Sequence, residues 1–331
     1  MLKVIQIGVG PLGQNVVRCA LQRGGVAIVG AVDPAPDKCG KDLGEICRVP
    51  PLGITVAPNL RAALGRKKAD VAVVTTVSSL RKIEEQIKEL ARAGLNIVST
   101  CEELSFPWYT QTEAALRIDR FCKKHGVACV GTGVNPGFLM DFLPCVLTAV
   151  SQKVEKVVVQ RIQDASHRRI PFQQKIGAGL TRAQFNARVK EGTLRHVGLV
   201  ESMHMIAHSL NWKLDRTAES LRPIIASRTI TSGYVKIPRG HACGVEQIGR
   251  GYLGGKEVIH LYFRAAVGEK ESLDTIEITG TPCIQSVVPG GVHGDSATTA
   301  ITVNAMRAIT RTTPGLKTML DLPVPASFTA I

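Results

Sequence analysis

The sequence predicts an α/β fold: a doubly wound parallel sheet, followed by a second α+β domain built on a mostly antiparallel sheet. Three observations predict it. Apolar strand-like runs alternate with helical segments over the first 135 residues. The first such strand runs into a glycine-patterned turn that opens a helix. Beyond about Cys145 the alternation stops, and helices come before a gathering of strands. Repeated strand–helix units imply parallel strands with crossover helices, and strands gathered after helices imply a separate α+β unit.

Residues 4–13 read Val-Ile-Gln-Ile-Gly-Val-Gly-Pro-Leu-Gly. Each glycine of Gly8-Val9-Gly10-Pro11-Leu12-Gly13 has a physical task in a dinucleotide-binding turn. Gly8 permits the tight turn out of the strand, and Gly10 lets backbone approach a diphosphate without a Cβ in the way. Gly13 lets the helix over residues 14–23 pack close to the sheet, with its N-terminus toward the phosphates. A second strand, Val26–Val32, ends in Asp33, twenty residues after Gly13, where an acid can hold a ribose hydroxyl. This context marks a Rossmann domain with NAD or NADP as cofactor. Asp33 favours NAD, while Lys38 and Lys41 close by keep NADP open.

The remaining elements follow in order. A Pro/Gly-containing loop occupies residues 34–51, an apolar stretch lies around Ile54 and Val56, and a helix is expected near residues 60–64. A strand over 69–75 leads into Val77-Ser78-Ser79 and a helix over 80–93, with Ile83, Ile87 and Leu90 on one face and Gly94 as its stop. A strand over 96–99 runs into Thr100-Cys101-Glu102-Glu103, a helix over 111–124 ends at Gly126, and a strand over 127–131 enters Thr132-Gly133-Val134-Asn135-Pro136-Gly137. The second domain is expected to hold a strand over 156–162, one long helical region over 182–210, and strands over 229–237, 257–266 and 275–280. A last helix runs from Asp295 through Ala308. The domains are set at 1–137 for the dinucleotide domain, 138–294 for a substrate and dimerisation domain, and 295–331 for a helical return to the first.

At 331 residues the chain can form two domains with real cores. Only 4% of residues are aromatic, which argues against a stacking surface for single-stranded nucleic acid. The net charge of +14 is spread along the sequence, the longest pure basic run being Arg66-Lys67-Lys68, so it reads as a basic surface with local attraction for anions. Nine cysteines, an odd number without a CxxC pair, fit a reduced cytoplasmic chain. Neither a signal peptide nor a bilayer-spanning apolar run is expected. No nucleic-acid or membrane partner is expected either.

Cofactor and substrate should meet at the carboxyl ends of the parallel strands. Thr75, Thr76 and Ser78 would flank the adenine or ribose. The Cys101 loop would lie near the nicotinamide, and Asn135, Pro136 and Gly137 would close the site. Asn135 is read either as a contact to the nicotinamide carboxamide or as part of a rigid interdomain turn. Glu102 and Glu103 are the paired acids. Carboxylates favour helix N-termini for electrostatic reasons alone. In the functional reading, one of them stabilises the iminium cation that develops as an amine is oxidised, or accepts a proton from the ammonium or from attacking water. His204 and His208 stand four apart with Glu201 one turn earlier, but HExxH and a third ligand are lacking, so no metal site is assigned. Arg161, Gln163 and Arg168 could hold a substrate carboxylate, while Arg169 reads as a surface charge. Phe138 and His196 are further substrate-side candidates.

Taken together, Gly8 to Gly13, Asp33 with Gly40-Lys41-Asp42-Leu43-Gly44, Ser99-Thr100-Cys101-Glu102-Glu103-Leu104-Ser105, Gly133-Val134-Asn135-Pro136-Gly137-Phe138 and Asp295-Ser296-Ala297-Thr298-Thr299-Ala300 resemble, in this order, the 2,4-diaminopentanoate dehydrogenases and the related native amine dehydrogenases. These belong to the wider group whose N-terminal domain is like dihydrodipicolinate reductase. The resemblance spans nearly the whole chain, and its most specific part is Cys101-Glu102-Glu103 followed by Asn135-Pro136-Gly137. It implies NAD(P)-dependent oxidative deamination of a small-molecule amine, or reductive amination with ammonia, by a homodimer with a glutamate of the pair near the reacting amine. The paired-histidine, lysine and Ser-Gly-Thr pattern of true dihydrodipicolinate reductases is not found. Two other readings stay open: a reductase of the same group acting on a cyclic imine or semialdehyde, and a non-enzymatic dinucleotide sensor.

Overall fold

The computed structural model describes residues 1–168, 170–233 and 235–328. Arg169, read above as a surface charge, and Tyr234, inside the strand expected over 229–237, lie outside the described residues. The chain divides into two compact units, Met1–Phe138 with His293–Ile331, and Leu139–Val292.

The first unit opens with β1 (Leu2–Ile7), α1 (Pro11–Leu21), β2 (Val26–Val32), α2 (Leu43–Cys47), β3 (Val56–Ala57) and α3 (Leu60–Leu64). It continues with β4 (Val71–Val74), α4 (Leu80–Arg92), β5 (Asn96–Ser99), a 3₁₀ turn (Glu102–Leu104), α5 (Thr112–Lys124) and β6 (Ala128–Gly131). The second unit holds α6 (Phe142–Leu147), β7 (Lys153–Asp164), α7 (Ile170–Lys175), α8 (Arg182–Lys190), α9 (Leu199–Ser209) and β8 (Arg216–Ile225). A two-stranded ribbon of β9 (Ile230–Thr231) and β10 (Lys236–Ile237) precedes β11 (Ala242–Leu253), β12 (Lys256–Ala266), β13 (Leu273–Thr281) and β14 (Ile284–Pro289). The chain then returns to the first unit with α10 (Gly294–Ile309) and β15 (Gly315–Lys317).

In the first unit the sheet order is β15-β6-β5-β4-β1-β2-β3, and every pairing is parallel. The order reverses between β1 and β4, which opens a crevice at the carboxyl ends of those strands, the place where ligands bind in such sheets. All four residues of β4 are buried, as a parallel strand covered on both faces requires. Ala72 and Val74 join Ile83, Ile87 and Leu90 of α4 and Ile118 of α5 in one core. On the other face α10 packs against α1. Glu84 of α4 receives a two-pronged hydrogen bond from Arg117 of α5, at 2.8 and 2.9 Å, and an ion pair from Lys88 at 2.9 Å.

The second unit's sheet runs β14-β13-β7-β12-β11-β8 and is antiparallel except for the β7–β12 pair. Two expectations change here. The single helical region over 182–210 is two helices, α8 and α9, because Gly192 and Gly198 between them take φ values of +70° and +107°. The strand expected over 229–237 is only the short ribbon. The glycine-bearing β11 and the strands β8 and β14 are additions that the sequence pattern did not reveal.

Candidate active site

The glycine turn is built as its residue types require. Gly8 has φ +86°, a left-handed conformation that favours glycine. A Cβ on Gly13 would fall 2.1 Å from the Gly8 carbonyl oxygen, so only glycine lets α1 start this close to β1. A Cβ on Gly10 would meet nothing within 4 Å, which leaves the backbone open on the side where a diphosphate would lie. Pro11 occupies the first position of α1, where its missing N–H costs no hydrogen bond, and Leu12 follows half-buried.

Around this turn, several predicted contacts have a supporting role. Thr75 directs its hydroxyl to the Gly8 carbonyl at 2.8 Å, and the Gln6 side-chain amide donates to the same oxygen at 2.9 Å. Thr75 thus braces the turn from just past the end of β4. Thr76 donates to Gln86 at 2.9 Å, and the Ser78 carbonyl accepts from the Glu103 amide at 3.3 Å. Asp33, at the end of β2, accepts from Val9 N–H at 2.8 Å, Ala35 N–H at 3.0 Å and Lys38 Nζ at 2.9 Å. Burial alone would raise its pKa. The bonds from Lys38, Val9 and Ala35 outweigh that and hold the carboxyl below its ordinary value.

The two adjacent acids after β5 stand in different surroundings. The Glu103 carboxylate accepts from Leu80 N–H at 2.8 Å and from the Gln111 side chain at 2.9 Å. Leu80 is the first residue of α4, whose N-cap Ser79 makes no side-chain cap, so Glu103 caps that helix from outside. Glu102 opens the 3₁₀ turn half-buried, its carbonyl fixed by Ser105 N–H at 3.1 Å and Ser105 hydroxyl at 2.8 Å. The Cys101 thiol is buried in the core under the sheet. Burial and the charge of Glu102 push its pKa up to about 12.

Asn135 stands after β6 in a turn that α10 supports, since Thr298 accepts the Val134 N–H at 3.2 Å. The Asn135–Pro136 peptide is cis, and Pro136 and Gly137 are buried. Asn135 is 9% exposed, and neither its Oδ1 nor its Nδ2 has a hydrogen-bond partner among the described residues. An amide buried with both groups unmatched calls for a ligand that offers a donor and an acceptor together. Phe138 is the last residue of this unit's first segment, Met1–Phe138.

The second unit gathers the other predicted substrate residues. Arg161 on β7 is buried and donates to Asp274 at 2.9 Å and to the Val292 carbonyl at 2.9 Å. Burial lowers its pKa to about 10, so it remains a cation at neutral pH. Gln163 donates to the same carbonyl at 3.2 Å. These bonds make Arg161 and Gln163 a clasp between β7, β13 and residue 292. Arg168, just past β7, is buried with its guanidinium 4.0 Å from the Phe172 ring centroid. The His196 ring lies 4.3 Å from the Phe263 ring, and its buried Nδ1 has no partner among the described residues. Burial, with the charges of Lys175, Arg161 and Arg168 around it, drives its pKa well below the ordinary value, so His196 is a neutral ring in a cationic setting.

The sequence comparisons bear on both units. The family model described as the 2,4-diaminopentanoate dehydrogenase C-terminal domain matches residues 138–330, and that described as the dihydrodipicolinate reductase N-terminus matches residues 2–101. The chain is 34% identical to 2,4-diaminopentanoate dehydrogenase of Acetoanaerobium sticklandii, over 98% of this chain and 94% of that one. The chain belongs to the 2,4-diaminopentanoate dehydrogenase family. As a member it is an NAD(P)-dependent oxidoreductase acting on a CH–NH2 donor. The fold is shared with an amine dehydrogenase from Mycobacterium smegmatis, at 23% identity and TM-score 0.88, over 98% of this chain and 97% of that one. It is shared more loosely with GenD2 from gentamicin A biosynthesis in complex with NAD, at 16% identity and TM-score 0.51, over 86% of this chain and 72% of that one.

Sequence reasoning missed the partners that hold these candidate residues in place. Gln247 of β11 is fully buried and grips His196 from both sides, accepting from its N–H at 2.8 Å and donating to its carbonyl at 3.0 Å. Asp274 and Gln6 serve Arg161 and the glycine turn in the same way. A polar residue at an inward position of an apolar strand was the available signal.

Proposed function

We propose that this dehydrogenase oxidatively deaminates 2,4-diaminopentanoate, or a closely related amine, to the ketone and ammonia, and also runs the reverse reductive amination. The observation that supports the reading is the pair of adjacent carboxylates after β5: Glu103 accepts from Leu80 N–H and the Gln111 side chain at the start of α4, Glu102 opens the 3₁₀ turn, and Glu102 is the one to which we give the chemistry. The residues of the first unit fit a nicotinamide dinucleotide. Gly8 to Gly13 would take the diphosphate, Asp33 the ribose, and the unmatched amide of Asn135 the nicotinamide carboxamide. The bound cofactor supplies one thing, an acceptor for the hydride leaving the amine-bearing carbon.

The protein's own groups do the rest. Glu102 holds negative charge beside the carbon–nitrogen centre as it becomes an iminium cation, and takes a proton from the water that attacks it. Hydrolysis of that iminium gives the ketone and ammonia. The cationic interior of the second unit fits a substrate carboxylate. Arg168, buried just past β7 with its guanidinium over the Phe172 ring, is the cation we assign to that carboxylate. The free state of all nine cysteines, with only Cys283 exposed, supports a cytoplasmic enzyme. Among the described residues no helix is long and apolar enough to cross a membrane. We further propose that it works as a homodimer.

The test is to make Glu102→Gln and Glu103→Ala separately. Glu102→Gln is expected to lower kcat by at least about a hundredfold with NADH binding retained. Glu103→Ala is expected to cost about 1 kcal/mol of stability through the lost cap, with a smaller effect on kcat. If Glu102→Gln keeps near-normal turnover, the carboxylate mechanism is wrong.

A further inference from the structure

We propose that Ser105 and Gly131 are positioning residues for the reaction: they hold the short turn that carries Glu102 from two sides, and so fix the point from which the Glu102 carboxylate extends. The inference rests on the assignment of the chemistry to Glu102 given above.

The turn is only three residues long, Glu102–Leu104. Yet both peptide groups that flank Glu102 are tied down. In the first, the Cys101 carbonyl accepts from Leu104 N–H at 3.1 Å. The second is held at both ends. Its Glu103 N–H donates to the Ser78 carbonyl at 3.3 Å, and its Glu102 carbonyl accepts from Ser105 N–H at 3.1 Å and from the Ser105 hydroxyl at 2.8 Å. The bond from Ser105 N–H is the one that any 3₁₀ turn makes. The hydroxyl adds a bond that the turn does not need, from a residue only 1% exposed. A hydroxyl that gives up water for one such bond returns little net stability. What it returns is direction, because a carbonyl held by two donors is restrained from swinging, and the Glu102 side chain swings with it.

Gly131, the last residue of β6, fixes the turn from the other side. A Cβ there would fall 2.5 Å from the Leu104 carbonyl carbon, and 2.7 Å from both the Leu104 carbonyl oxygen and the Ser105 nitrogen. All three are backbone atoms, so no flexible side chain could move aside and the turn itself would be displaced. Gly131 does not have a positive φ, so the close approach of the turn, and not the strand's own backbone, is what calls for glycine. A displacement of about 1 Å at a reacting group can cost about a hundredfold in rate.

A double-mutant cycle on the full chain separates this role from a structural one. The readouts are kcat for 2,4-diaminopentanoate oxidation, the Kd for NADH and the melting temperature. Ser105→Ala, which keeps the backbone bond, is expected to lower kcat by about tenfold, with NADH binding and melting temperature near wild type. Gly131→Ala is expected to lower kcat by about a hundredfold, and if it fails to fold, Ser105→Ala still decides. In the Glu102→Gln background Ser105→Ala is expected to cause no further loss, because the carboxylate that it places is gone. A Ser105→Ala kcat within about twofold of wild type, beside an impaired Glu102→Gln, overturns the positioning role alone. So does a loss that recurs in full in the Glu102→Gln background, or one that comes with an equal loss of NADH affinity. A wild-type chain that does not oxidise this substrate, or a Glu102→Gln variant as fast as wild type, overturns the assignment of Glu102 and this proposal with it.

Discussion

A single unmatched amide separates two accounts of the turn after β6. Asn135 is buried, yet neither its donor nor its acceptor is satisfied among the described residues. A residue kept only for the turn would gain nothing from an amide in that state, because a buried polar group without partners is destabilising. If the amide serves the cofactor, Asn135→Leu, close in shape and apolar, leaves the melting temperature of the cofactor-free protein unchanged or higher. The same change shrinks the rise in melting temperature that NADH produces. Thermal denaturation with and without NADH checks this, and a large loss in the cofactor-free protein returns Asn135 to a purely structural role. At this scale much of the candidate site was legible in the sequence. Gly8, Gly13 and Asp33 act through local backbone geometry, and local geometry is written in residue type and spacing. The tasks of Thr75 and Glu103 were not legible, because Thr75 braces Gly8 from just past the end of β4 and Glu103 caps the helix before β5.

At the scale of elements, the parallel strands and their helices announced themselves by apolar period, as in α4, where Ile83, Ile87 and Leu90 share a buried face. The second unit was harder to read. β11 carries Gly244, Gly249 and Gly251, residues that weaken a strand pattern. Their cause is tertiary: a Cβ on Gly249 would come within 3.1 Å of Met203 on α9, and one on Gly244 within 2.1 Å of the Ala265 carbonyl oxygen. The α4–α5 junction carries a pH-dependent prediction. Hydrogen bonds from Arg117, against the opposing effect of burial and with Lys88 helping, lower the Glu84 pKa from 4.5 to about 2. A carboxyl whose folded pKa is depressed stabilises the fold above its unfolded pKa and loses that contribution as pH falls through the folded value. Glu84→Gln is therefore expected to lower the melting temperature at neutral pH, with the gap to wild type closing between about pH 4.5 and 2. A gap that stays constant over that range would mean that the ion pair is not its source.

On the scale of the whole molecule, the sequence composition set the class and excluded others, while the proposed chemistry draws on residues in each of two compact units. The first unit offers glycines, an aspartate, a buried amide and a glutamate in the pattern of a nicotinamide enzyme. The second offers buried cations around a neutral His196, a setting suited to a carboxylate. Arg168→Met is expected to raise KM for a diamino acid by about tenfold or more, and by less for an amine without a carboxylate. Steady-state kinetics with both substrates reads that difference, and equal effects on the two would remove Arg168 from the substrate site. The central claim is tested most directly by following NADH and NADPH formation with 2,4-diaminopentanoate and a panel of simple amines at alkaline pH. The account predicts turnover of the diamino acid with release of ammonia. A protein that binds cofactor and oxidises none of these amines would contradict it.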